Sequence, residues 1–236
     1  MMVRKNFSVE YVSGQLRLVS EKLGSRMTLF VAGGTVMAIG GLKEGTKDVD
    51  VVVESPADLQ GLKRALVTSG YSKPGKALEV AYRQMQARAV LENKDGFRWD
   101  VFERVVAGKF HLSPGMKKRA RNYELSSEKL AVRLLSMEDV FLMKSVTERE
   151  GDLEDMAKIA QSGIDWDTIV EECDWQSKKT GRIWENSVCQ SLEELRVKHG
   201  VTSPVEKKIC RSAEKKILAL EKEQGIGWRG IPLPER

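Results

Sequence analysis

Asp48-Val49-Asp50-Val51-Val52-Val53 sets two acids among four valines. β-Branched residues favour a pleated strand. On a strand this spacing puts both carboxylates on one face, their Cα atoms roughly 6–7 Å apart. The valines mark the strand as largely buried, where two like charges are unfavourable unless a cation sits between them. A hard divalent ion such as Mg²⁺ meets that need, because it takes oxygen ligands while keeping waters and substrate phosphates. A solvated edge strand would carry the same acids, and the spacing by itself leaves both readings open.

Upstream, the apolar run 27–32 reads as a buried strand. It ends in Gly33-Gly34-Thr35, 13 residues before Asp48, and 36–39 then reads as helix. Glycines let backbone approach a phosphate closely, and a helix start offers unpaired N–H groups; the Thr35 hydroxyl would add a donor. Most Gly-Gly turns are turns only. Residues 9–23 read as a first helix stopped by Gly24. Downstream, Ser55-Pro56-Ala57-Asp58 is a cap, an N1 proline and an acid three residues after the cap, opening a helix to about residue 68.

Residues 86–92 and 97–105 read as strands joined through Asn93-Lys94-Asp95-Gly96, a hairpin signal. In Phe97-Arg98-Trp99-Asp100-Val101-Phe102 the apolar Phe97, Trp99 and Val101 share a face, so Asp100 points to the other. Beside the Asp48 strand it would bring three acids together, able to hold one or two cations and to take a proton. An ion pair with Arg98 is the plainer role for Asp100. Residues 129–135 read as one more strand. From residue 136 the pattern turns helical, over about 136–148, 152–161, 166–173, 182–198 and 204–224, with an irregular tail from Trp228. The fold class is therefore α/β (α+β in stricter terms), a small mixed sheet with flanking helices over 1–135 and a helical region over 136–236.

The 236 residues carry a net charge of +5, modestly favouring polyanionic partners such as RNA or a nucleoside triphosphate. Two histidines leave little for His-based metal sites or triads, so chemistry falls to carboxylates, Lys and Arg. No apolar run approaches the length of a membrane span, and the basic N-terminus lacks the apolar stretch of a secretory signal. Cys173, Cys189 and Cys210 are odd in number and widely spaced, which reads as free thiols in a reducing cytoplasm. On a helix from Met137, Lys144 shares a face with Met137, Val140 and Phe141. Its amine would either snorkel to water or meet a triphosphate. The tryptophans between Trp166 and Trp184 read as helix packing rather than base stacking. Lys207, Lys208, Arg211, Lys215 and Lys216 alternate with acids as on a solvated helix face, RNA gripping being the sharper alternative.

Val31-Ala32-Gly33-Gly34-Thr35, Thr46-Lys47-Asp48-Val49-Asp50 and the later Asp100 resemble the polymerase-beta-type nucleotidyltransferase superfamily. The Gly-Gly-Thr opening and Thr-x-Asp-x-Asp strand are most similar to the AbiEii-like toxins of abortive-infection and toxin–antitoxin systems. The resemblance covers about residues 27–160. It implies transfer of a nucleoside monophosphate from an NTP, ATP among the candidates, to an acceptor hydroxyl on RNA, tRNA or protein. It also implies two Mg²⁺ ions, with Mn²⁺ as a substitute, on Asp48, Asp50 and Asp100. Gly33, Gly34 and Thr35 would hold phosphates. Lys144, Asp152 and Asp155 match the group's helical Lys and downstream Asp-x-x-Asp, although Asp152 to Asp155 also reads as a helix start. Where the group often has a basic residue, two positions before the Thr, this chain has Glu44. An antitoxin partner is implied as well. A small-molecule nucleotidyltransferase and a non-catalytic nucleotide- or RNA-binding subunit are the rival classes.

Overall fold

The computed structural model describes residues 5–75, 86–125, 127–147, 149 and 151–224. Among them a mixed sheet forms from β1 (Met27–Ala32), β2 (Asp48–Val53), β3 (Ala89–Glu92), β4 (Arg98–Glu103), β5 (Val105–Val106), β6 (Phe110–His111), β7 (Arg121–Tyr123) and β8 (Leu130–Leu134). The order is β6-β5-β4-β2-β1-β8-β7, with β3 pairing β4 off this path. β1 runs antiparallel to β2 and parallel to β8, while β2 and β4 are parallel.

Helix α1 (Val9–Glu21) begins at Ser8, whose hydroxyl accepts from the Tyr11 N–H. Helix α3 (Pro56–Thr68) begins at Ser55 in the same manner, as its Ser-Pro signal requires. Phe7, Tyr11 and Phe97 meet in one aromatic cluster and Tyr71 meets Trp99 edge-on, so the odd-numbered β4 residues face a packed interior. The even-numbered residues, Asp48, Asp50 and Asp100, are left on the opposite face. Short helix α2 (Gly33–Ile39) follows β1 directly.

Beyond the sheet come α5 (Met137–Ser145), α6 (Asp152–Gln161), α7 (Trp166–Thr180), α8 (Trp184–His199) and α9 (Glu206–Gln224), after a short α4 (Pro114–Arg119). Ser136 and Asp139 form a reciprocal capping box at the start of α5. The buried core runs continuously from Phe7 to Ile209 through both halves of the chain. Arg119 ties the halves together: its Nη2 donates to Asp139 at 2.5 Å and to Glu172 at 2.7 Å, both acids being buried.

Several sequence expectations change. The strand expected from residue 86 starts at Ala89, because Gln86 sits at φ 51 in a turn. The strand expected to residue 105 ends at Glu103, because Arg104 at φ 56 turns the chain back into β5. Helix α7 runs on to Thr180, ended by left-handed Gly181. The short β5, β6, β7 and α4 were not expected; two- and three-residue strands carry too little periodicity to read. Cys189 and Cys210 are not free thiols but form a disulfide, because the packing of α8 and α9 brings their Cα atoms to 5.0 Å. Cys173 is a buried free thiol as expected. Among the described residues no helix is long and apolar enough to cross a membrane. The expected irregular tail from Trp228 lies outside the described residues.

Candidate active site

The parallel register of β2 and β4 sets Asp48 beside Arg98 and Asp50 beside Asp100. All three acids therefore share a sheet face, as neighbouring residues in register must. Asp48 and Asp50 are half-buried and line a cavity of about 420 Å³; Asp100 is buried beside them and does not line it. Arg98 bonds Glu92 through its Nε.

Gly33 adopts φ +65 and lies so close to Asp50 that a Cβ would stand 2.2 Å from Oδ2. Only glycine allows both that backbone conformation and that approach. Gly33 and Gly34 line the cavity. Thr35 does not: it is buried, and its hydroxyl donates to the Asp48 carbonyl at 2.9 Å. Thr46 donates to the same carbonyl at 2.8 Å. Thr35 thus pins the start of the acid-bearing strand, its one hydroxyl proton committed to the backbone.

Helices α5 and α6 close the opposite wall. Lys144 lines the cavity with its side chain only 11% exposed, and its amine donates to Asp152 at 2.7 Å and reaches Asp155 at 2.6 Å. The amine therefore neither snorkels to water nor stands unpaired. Burial depresses its pKa, but the two carboxylates more than offset this and hold it above the ordinary lysine value. Asp152 is the first residue of α6 rather than its cap, which is left-handed Gly151. Its Oδ2 accepts from the Thr147 hydroxyl and the Arg149 N–H.

Two cations absent from the sequence reading also line the cavity. Lys43 donates to Asp155 at 2.8 Å, and Arg149 is exposed at the rim. Lys43 stands next to Glu44, so the basic character wanting at that loop position is supplied one residue earlier. Periodicity gives no signal for a loop lysine. Burial, then the charge of Asp48, pushes the Asp50 carboxyl up to about 7, with Arg149 and Lys144 opposing.

The donor set fits a hard divalent cation. Asp48, Asp50 and Asp100 share one sheet face, glycine leaves room beside Asp50, and the mutual repulsion of Asp48 and Asp50 is what such an ion would remove.

Residues 10–199 match the family described as "Nucleotidyltransferase of unknown function (DUF6036)". The chain belongs to this family. Among solved structures it is similar to an antigenic nucleotidyltransferase-like protein from Paracoccidioides brasiliensis, at 14% identity and a TM-score of 0.43, over 75% of this chain and 92% of that one. A comparison with curated proteins finds no match.

Proposed function

We propose that this member of the nucleotidyltransferase family moves a nucleoside monophosphate from an NTP to an acceptor hydroxyl, in a metal-dependent reaction. The observation that carries the reading is the register of Asp50 beside Asp100, with Asp48 on the same face and Lys144 across the cavity.

Asp48 and Asp50 would hold Mg²⁺, or Mn²⁺ in its place, with Asp100 completing the acid set. When bound, the metal supplies charge neutralisation at the phosphates. The acceptor oxygen forms its bond to the α-phosphorus, the bond to the bridging oxygen breaks, and pyrophosphate leaves. The proton of the acceptor hydroxyl leaves to water in the cavity, because Asp100, which the resemblance casts as its acceptor, lies buried beside Asp50 and off the cavity wall. Gly33 and Gly34 present backbone to the β- and γ-phosphates. Lys144 exchanges one of its two carboxylate partners for a phosphate oxygen, while Asp152 and Asp155 keep the amine charged and aimed at the cavity. Lys43 and Arg149 add positive charge where pyrophosphate departs.

The narrower resemblance to AbiEii-like toxins is supported by Lys144 pairing with Asp152 and Asp155 around this cavity. The toxin reading requires an acceptor on RNA or protein and an antitoxin that relieves growth arrest. The decisive assay incubates the protein with each labelled NTP, Mg²⁺ or Mn²⁺, and total RNA. Label should move to RNA with wild type and not with Asp48→Asn or Asp50→Asn. Wild-type rates in either variant at saturating metal would show that these acids are structural.

A further inference from the structure

A second cleft, of about 510 Å³, opens at Glu54, immediately past the end of β2. Arg104, Lys117 and Lys179 line it, together with His111 and Trp175. Strand β5 divides it from the carboxylate cavity, Val106 lining the one and Val105 the other.

Three cations here meet one acid. Glu54 accepts from Lys117 at 2.6 Å, and its backbone carbonyl accepts from the Arg104 Nε at 2.5 Å. Lys179 is exposed and makes no ion pair among the described residues. Arg104 holds φ 56, a left-handed conformation that costs any residue but glycine free energy and is retained where the surroundings enforce it. The field of the cleft is therefore positive.

Trp175 gives the cleft a second character. Trp99, Trp166 and Trp184 each meet another ring edge-on, as packing tryptophans do. Trp175 contacts no other ring among the described residues and stands half-buried in the cleft wall. The packing role expected of the helical tryptophans thus describes Trp166 and Trp184, not Trp175. His111 is held below its usual pKa by burial and then by Lys179.

The geometry points to a binding groove for a single-stranded polynucleotide, its phosphates on Arg104, Lys117 and Lys179 and one base stacked on Trp175. Cations that follow a backbone beside an aromatic face are how such strands are held without sequence preference. Glu54 lies four residues past Asp50, about 13 Å at strand rise. A stacked strand rising about 3.4 Å per nucleotide covers that span in about four nucleotides. A strand in the groove therefore lies about four nucleotides from the carboxylates, on the other side of β5. That it serves as the acceptor rests on the nucleotidyl-transfer reading; that the groove binds it does not.

Fluorescence anisotropy with labelled RNA and DNA strands about 12 nucleotides long tests the groove. Wild type should bind both, or RNA more tightly; either result supports the groove and identifies the strand it takes. Trp175→Ala should weaken binding about tenfold. Lys179→Glu, an exposed change that leaves the fold alone, should weaken it and lower the salt slope by about one. Asp50→Asn should bind as wild type does, so an inactive enzyme and a failed groove give different results. Absence of strand binding by wild type overturns the proposal, as does wild-type affinity in both Trp175→Ala and Lys179→Glu. Displacement of the strand by inorganic polyphosphate as readily as by unlabelled strand also overturns it, since bases would then contribute nothing.

Discussion

Replacing Gly33 by alanine should disable the cation site through a single methyl group. The added Cβ would lie 2.2 Å from Asp50 Oδ2 and 3.2 Å from its Cγ, where ordinary contact begins at 3.4 Å. The carboxylate must therefore move by more than about 1 Å, enough to spoil metal ligation. The backbone contributes separately: φ +65 costs an L-residue about 1–2 kcal/mol. Gly41 isolates that second effect, because it holds φ +77 with nothing within 4 Å of an added Cβ. For a chain of this size 1 kcal/mol moves Tm by about 2–4 °C. Gly41→Ala should thus lower Tm by roughly 2–8 °C while leaving the metal response intact. Wild type at a hundred times its Kd for Mg²⁺ or Mn²⁺ should gain about 2.7 kcal/mol, or roughly 5–10 °C. Gly33→Ala should gain almost none and should transfer no label. Thermal melts with and without metal, run beside the transfer assay, read both. A Gly33→Ala protein with the full metal-induced shift and wild-type activity would refute the link between this glycine and the position of Asp50.

Lys144→Met should lose stability as well as activity, because it leaves Asp152 and Asp155 buried without their shared cation, a loss of about 3–5 kcal/mol. The triple change Lys144→Met, Asp152→Asn, Asp155→Asn removes the charges together. It should recover most of the melting temperature while NTP binding stays weak; wild-type NTP affinity in the triple variant would remove Lys144 from the substrate site. Hydrogen bonds from Lys144 and Lys43 outweigh burial and hold the Asp155 carboxyl below its ordinary value. Its contribution is present above the unfolded value of 3.8 and is lost as pH falls through the lower folded value. Asp155→Asn should therefore cost about 2 kcal/mol near pH 7 by urea titration, with the difference closing as pH falls below the unfolded value of 3.8; a constant difference across that range would contradict the assignment. Arg119→Met strands the buried Asp139 and Glu172 and should lower Tm by roughly 10 °C. An unchanged melt would show that this charge cluster does not hold the two halves together.

Sequence by itself determined what neighbouring residues decide among themselves. The valines around Asp48 and Asp50 made a strand and put both acids on one face, since side chains alternate with period two. Ser8, Ser55 and Ser136 start helices because a cap needs only a hydroxyl and the next few N–H groups. Asp100 was legible as facing away from Phe97 and Trp99, but not as Asp50's neighbour. Register between strands about 50 residues apart depends on how both pack, and a slip of one residue would have sent it to the other face. Lys144 was legible as a lysine on an apolar stripe. Only the approach of α6 to α5 decided that its amine meets Asp152 and Asp155. The same holds for Lys43 reaching Asp155 from 112 residues away, and for Cys189 meeting Cys210 across two helices. It holds also for Trp175, left in an open cleft while Trp166 and Trp184 pack against phenylalanines. Each of these contacts joins separate elements, and chain-local periodicity carries no information on which elements will touch.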